Sequence, residues 1–162
     1  MIGDPPRVDA PAERRPTTRR VLLVLGGIVA AVCVAFGVAI VRQQRDFAEY
    51  RAATLESGPL PWDSTPMTPD ACVAFAVDWA MACPGLGTWC ESEAPRVVGR
   101  CMAAQDRQVF CTEAADTVAS TGFGVAECVA MRERIEGQYA QRGHKKFCAA
   151  AYRAVAEHCR RR

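Results

Sequence analysis

The sequence predicts an all-α protein: one N-terminal transmembrane helix followed by a small, disulfide-stapled helical domain built on hairpins. Three observations predict it. Val21 to Val41 is a run of 21 residues with no charge and no strongly polar side chain. Eight cysteines follow that run, and three pairs of them are eleven residues apart, close to three helical turns. No stretch shows the sustained two-residue alternation of a half-buried strand.

Residues 1–20 carry Arg7, Arg14, Arg15, Arg19 and Arg20 against Asp4, Asp9 and Glu13, with four prolines among them. Such a segment has little apolar surface to bury and is expected to be a disordered cytoplasmic tail. Residues 21–41 would form a helix of about 31 Å, enough for a hydrocarbon core of about 30 Å. The run exceeds the roughly 7–15 residues of a secretory h-region, and no small-x-small cleavage signal follows it. An uncleaved signal-anchor is therefore expected; cleavage would instead release a secreted cysteine-rich domain. Four arginines lie within seven residues before the run, and Arg42, Arg45 and Arg51 follow it less tightly. The positive-inside rule then puts the N-terminus in the cytoplasm and the C-terminal part in the periplasm or outside the cell. The composition, with 18 Arg, 2 Lys and no Asn, suits a GC-rich bacterial genome, so the membrane would be the cytoplasmic (inner) one.

The cysteines support that placement independently. Cys72, Cys83, Cys90, Cys101, Cys111, Cys128, Cys148 and Cys159 are even in number and dense, as in domains of oxidising compartments. Cys33 lies mid-run and reads as a small apolar residue.

Residues 42–57 contain good helix formers and extend the membrane helix as a juxtamembrane helix, ending near Gly58-Pro59. Residues 58–67 are rich in proline and read as a semi-rigid linker. Trp62 within it is a candidate partner contact, against the alternative that it packs on its own domain. The cysteine-rich domain is expected over residues 68–162. Thr68 caps its first helix and Pro69 takes the first position, with Pro84-Gly85 as the stop. A second helix is expected from Ser92, with Pro95 in its first turn, to about Gln105. Shorter pieces cover Val109–Cys111 and Thr112–Ala119. A longer helix is expected over Val125–Gln141, with Val125, Cys128, Met131, Ile135 and Tyr139 on one side. Arg142-Gly143-His144 reads as a turn, because Gly143 suits a left-handed helix end. The last helix would run from Lys145 to Arg160.

Cys72 and Cys83 are eleven apart, as are Cys90 and Cys101, and Cys148 and Cys159. Members of such a pair share a stripe but lie roughly 16 Å apart along one helix, so each bonds to a neighbouring element. An antiparallel hairpin about residues 84–89 pairs Cys83 with Cys90 and Cys72 with Cys101. A hairpin turning near Gly143 pairs Cys128 with Cys159, which leaves Cys111 for Cys148. The first nested pair resembles the helical-hairpin scaffold of the twin-cysteine proteins of the mitochondrial intermembrane space. That resemblance covers only Cys72–Cys101, with ten residues between cysteines where the family usually has nine. It implies a way of stapling helices and carries no function.

Chemistry is harder to find. No two cysteines are closer than seven residues apart, so CxxC zinc, haem and thioredoxin-type motifs are absent. GxSxG, HExxH, P-loop and GxGxxG motifs are absent too. Residues 42–162 carry 15 basic and 15 acidic residues, a balance that does not favour nucleic-acid binding. No cofactor and no metal are expected. Arg142, His144, Lys145 and Lys146 form a local basic cluster, a candidate contact for an acidic partner or lipid headgroups. The expected function is a single-pass interaction or scaffold protein, an accessory subunit of a bacterial envelope complex with a protein partner there. It is not expected to be an enzyme; the alternative is a membrane-tethered enzyme or thiol-redox protein using free cysteines.

Overall fold

A computed structural model describes residues 15–161, with side chains from Arg20 onward. Helices dominate, and no strand occurs among the described residues. Contacts divide the chain between Val41 and Arg42.

The first helix, α1 (Arg15–Leu55), contains the apolar run. It is long and apolar enough to cross a membrane by length and composition, and its apolar window is not buried within the protein. Its first turns include residues 15–20 of the tail expected to be disordered; residues 1–14 lie outside the described part. Cys33 is exposed on it and is the one free cysteine.

The second unit begins at Arg42, earlier than the linker suggested. Its centre is three helices: α3 (Pro69–Ala82), α4 (Gly87–Ala103) and α8 (Gln138–Arg160), each packed on the other two. Val73, Val77, Val97, Val98, Met102 and Val155 are fully enclosed between them. The helix starts where the sequence provides for it: the Thr68 hydroxyl accepts from the Ala71 amide at 3.2 Å and Pro69 occupies the first turn.

The segments expected to lie outside the domain are part of it. Phe47 and Tyr50 of α1 stack against Trp89 and Trp79, with centroids 5.8 and 5.4 Å apart. The Trp79 indole N–H donates to the Thr54 hydroxyl at 2.7 Å, and Arg100 donates to the Leu55 carbonyl at 3.1 Å. That last bond satisfies one of the carbonyls a helix end leaves open. The Pro-rich linker folds into a short helix, α2 (Pro61–Ser64), with the Asp63 carboxylate accepting from the Leu60 amide at 2.7 Å. Leu60 and Trp62 are buried in the core, and Trp62 meets Phe75 edge-on at 5.2 Å. Prolines masked this role: they read as extended spacer, while the apolar residues between them provide packing surface.

Three boundaries differ from expectation. α4 starts at Gly87 rather than Ser92, because the Leu86 carbonyl already accepts from Trp89 and Cys90, so Pro95 lies inside the helix. The middle segment forms α5 (Gln108–Glu113) and α6 (Ala115–Ala119). Arg107 before them is buried, donating to the Met67 carbonyl at 2.5 Å, and burial pulls its guanidinium below the ordinary value. The largest difference is the last reversal. α7 ends at Arg132 (Val125–Arg132), and the chain turns through residues 133–137, where Gly137 has φ +88°. Gly143 then sits inside α8. Tyr139, expected on a packed face, is 92 % exposed.

The moved reversal re-pairs the cysteines. Cys72–Cys101 and Cys83–Cys90 are bonded across the α3–α4 hairpin. The other four pair as Cys128–Cys148 and Cys111–Cys159, not as Cys128–Cys159 and Cys111–Cys148. The reason is geometric. Cys128 and Cys148 lie ten residues either side of Gln138, so a turn just before Gln138 brings them face to face. Cys159, at the far end of α8, then meets α5.

Candidate binding surface on α7 and α8

The exposed side of α8 is cationic. Arg142, Lys145, Lys146, Arg153 and Arg160 are exposed along it. Arg142 and Lys145 are exposed and make no ion pair among the described residues, Lys146 is exposed but pairs with Glu91, and two other residues of the proposed contact are buried. Trp62 is 6 % exposed and belongs to the core, and His144 is 4 % exposed, turned inward on the face that also buries Phe147, Cys148 and Ala151. Helical spacing explains the division: 144, 148, 151 and 155 share the core stripe, and 145, 149 and 153 the opposite one.

Burial pushes the His144 imidazole below its ordinary pKa; Arg132 reinforces this and Asp78 opposes it. Its Nδ1 has no hydrogen-bond partner among the described residues. The consequence for stability has a definite sign. Above an unfolded-state pKa of about 6.5 both states are neutral and the contribution is fully present. Below it the unfolded chain binds a proton that the folded domain resists, so stability falls on acidification. Thermal unfolding at pH 7.5 and 5.5 should show this loss, and His144→Gln should reduce it.

Two grooves flank Arg153. The larger, about 1110 Å³, lies between α4 and α8 and includes Arg96, Arg100, Arg153, Arg160 and Arg161. Most of these cations are already engaged. Arg96 pairs with Glu93 at 3.1 Å, Arg160 and Arg161 with Glu157 at 3.2 and 2.9 Å, and Arg100 holds the Leu55 carbonyl. Lys146 pairs with Glu91, another residue lining this groove, at 2.5 Å.

The smaller groove, about 290 Å³, lies between α7 and α8. Phe123, Val125, Cys128, Val129 and Ala149 supply apolar lining, and Arg132, Lys145 and Arg153 supply charge. No acidic side chain lines it. Its walls are fixed. Cys128–Cys148 bonds the two helices, and Phe123 meets Tyr152 edge-on at 5.3 Å. The Tyr152 hydroxyl donates to the Asp70 carboxylate at 2.9 Å, and burial first, then Asp70, raises its pKa. Gly124, at φ +77°, lets α7 start against the Tyr152 ring.

Arg132, Arg153 and Val129 were not singled out by sequence reasoning, and Val125, expected on the packed side of its helix, is 56 % exposed instead. Lys145, Ala149 and Arg153 recur at i, i+4 and i+8, a signal present on α8 alone. Arg132 joins them only because the chain reverses at Gly137. Among the described residues no group of three or more His, Cys, Asp or Glu side chains is arranged to hold a metal ion. Comparison with known protein families, with curated proteins and with solved structures finds no match to this chain.

Proposed function

We propose that this protein is a membrane-anchored binding module, an accessory subunit of a bacterial envelope complex. In this reading α1 is an uncleaved signal-anchor in the inner membrane with its N-terminus in the cytoplasm. The disulfide-stapled domain stands in the periplasm or outside the cell and presents the cationic face of α8 to a protein partner. The observation that carries it is the pairing of all eight cysteines beyond the apolar helix, which leaves only Cys33 free. Disulfides at this density suit an oxidising compartment and a rigid display surface, and a thiol-redox enzyme needs an accessible, reactive thiol. Alkylation of the denatured, non-reduced protein should modify one thiol per chain, on Cys33. Purification from gently solubilised membranes should retain an envelope protein in fixed ratio, and Lys145→Glu/Arg153→Glu should release it. Three or more free thiols, or a free monomer under all gentle conditions, would overturn this reading.

A further inference from the structure

We propose that the α7–α8 groove is a binding site for a medium-chain aliphatic carboxylate, a single chain of about eight to ten carbons with one anionic end. This goes beyond the binding role above and stands whether or not an envelope protein is retained.

Three features of the groove converge on that chemistry. First, its lining is apolar where it is not cationic, and two of the apolar residues face solvent. Val125 is 56 % and Val129 39 % exposed, on a helix with no buried residue of its own. Covering aliphatic surface of this kind removes it from water and favours binding. Second, the charge has one sign. Among the described residues Arg132, Lys145 and Arg153 make no ion pair; Arg153 only donates to its own helix, to the Ala149 carbonyl at 3.1 Å. The arginines of the neighbouring α4–α8 groove are mostly paired, whereas the three cations lining the smaller groove are not. An anion placed there meets charge-assisted donors without first breaking an internal salt bridge. Third, the size is restrictive. A volume of about 290 Å³ holds about ten groups the size of a water molecule. That is room for one short chain, not for both chains of a diacyl lipid. The Cys128–Cys148 bridge and the Phe123–Tyr152–Asp70 contacts hold the walls before any ligand arrives, so little ordering is left to oppose binding.

Full-length protein in nanodiscs, labelled on valine methyl groups, tests the site by titration with decanoate, decanol and acetate. Decanoate is expected to shift the Val125 and Val129 signals saturably. Decanol, which lacks the charge, and acetate, which lacks the chain, should each bind at least tenfold more weakly. Arg132→Gln/Lys145→Gln should weaken decanoate at least tenfold, and Val129→Trp, which fills the groove from an exposed position, should abolish the remaining Val125 shift. Equal affinity for decanol, a response that does not saturate, or a Val125 shift unchanged in Val129→Trp would overturn the assignment. Methyl spectra of each variant matching the parent outside α7 and α8 establish that the fold is retained.

Discussion

Replacing Gly124 with alanine should destabilise the domain by about 3 kcal/mol. Two penalties add. At φ +77° a residue with a Cβ loses roughly 1–2 kcal/mol relative to glycine. The new Cβ would also fall 2.2 Å from Cγ of Tyr152, a contact that cannot stand, and overpacking of this kind typically costs about 1–3 kcal/mol. Tyr152 has no free direction of retreat: its ring is held by Phe123 and its hydroxyl by Asp70. Gly122→Ala is the control. Its φ is not positive and nothing lies within 4 Å of the added atom, so neither penalty applies. Denaturant unfolding of the two variants, followed by circular dichroism, should separate them by a clearly lower midpoint for Gly124→Ala.

The second large effect is expected from Cys72→Ala/Cys101→Ala. The bridge joins residues 29 apart, and closing a loop of that length in the unfolded chain accounts for about 3.5 kcal/mol in the chain-entropy account. Both sulfurs are fully buried at the α3–α4 contact, so the vacated volume adds a cavity penalty. Cys83→Ala/Cys90→Ala opens a loop of only 7 residues' separation, for which the same account gives about 2.5 kcal/mol. The predicted order of unfolding midpoints is parent, then the Cys83/Cys90 variant, then the Cys72/Cys101 variant, measured without reductant. Against a typical domain stability of about 5–15 kcal/mol, either loss is a substantial fraction.

Much of the architecture could be read from local signals, and the failures have a common cause. The apolar run, the Thr68-Pro69 helix start and the α3–α4 hairpin depend on residues close in sequence, and each was legible. Gly143 looked like a helix end, yet it lies where α8 passes α3, and tertiary packing on both sides continued the helix through it. The actual reversal, at Gly137, follows a charged stretch with no stronger turn signature. That single displacement also misassigned two disulfides and concealed the groove, since Arg132 and Lys145 belong to different helices brought together by the turn. The cationic stripe of α8 was visible in part. His144 was included in it because adjacent residues look alike in sequence, whereas a helix sends residues 144 and 145 to different sides.

The four bridges also define a map of covalent rings. Cys83–Cys90 lies inside Cys72–Cys101, and Cys128–Cys148 lies inside Cys111–Cys159. No bridge joins one nest to the other. Residues 102–110 are therefore the sole covalent tether between two closed circuits. A chain scission within residues 84–89 or 133–137 leaves a single cross-linked molecule, while one within residues 102–110 yields two. Each circuit can close during oxidation without waiting for the other, and a wrong bridge between them would have to leave its nest. Apart from that tether, the packing of α3 and α4 on α8, with the Tyr152–Asp70 and Lys146–Glu91 contacts, makes one domain of the two.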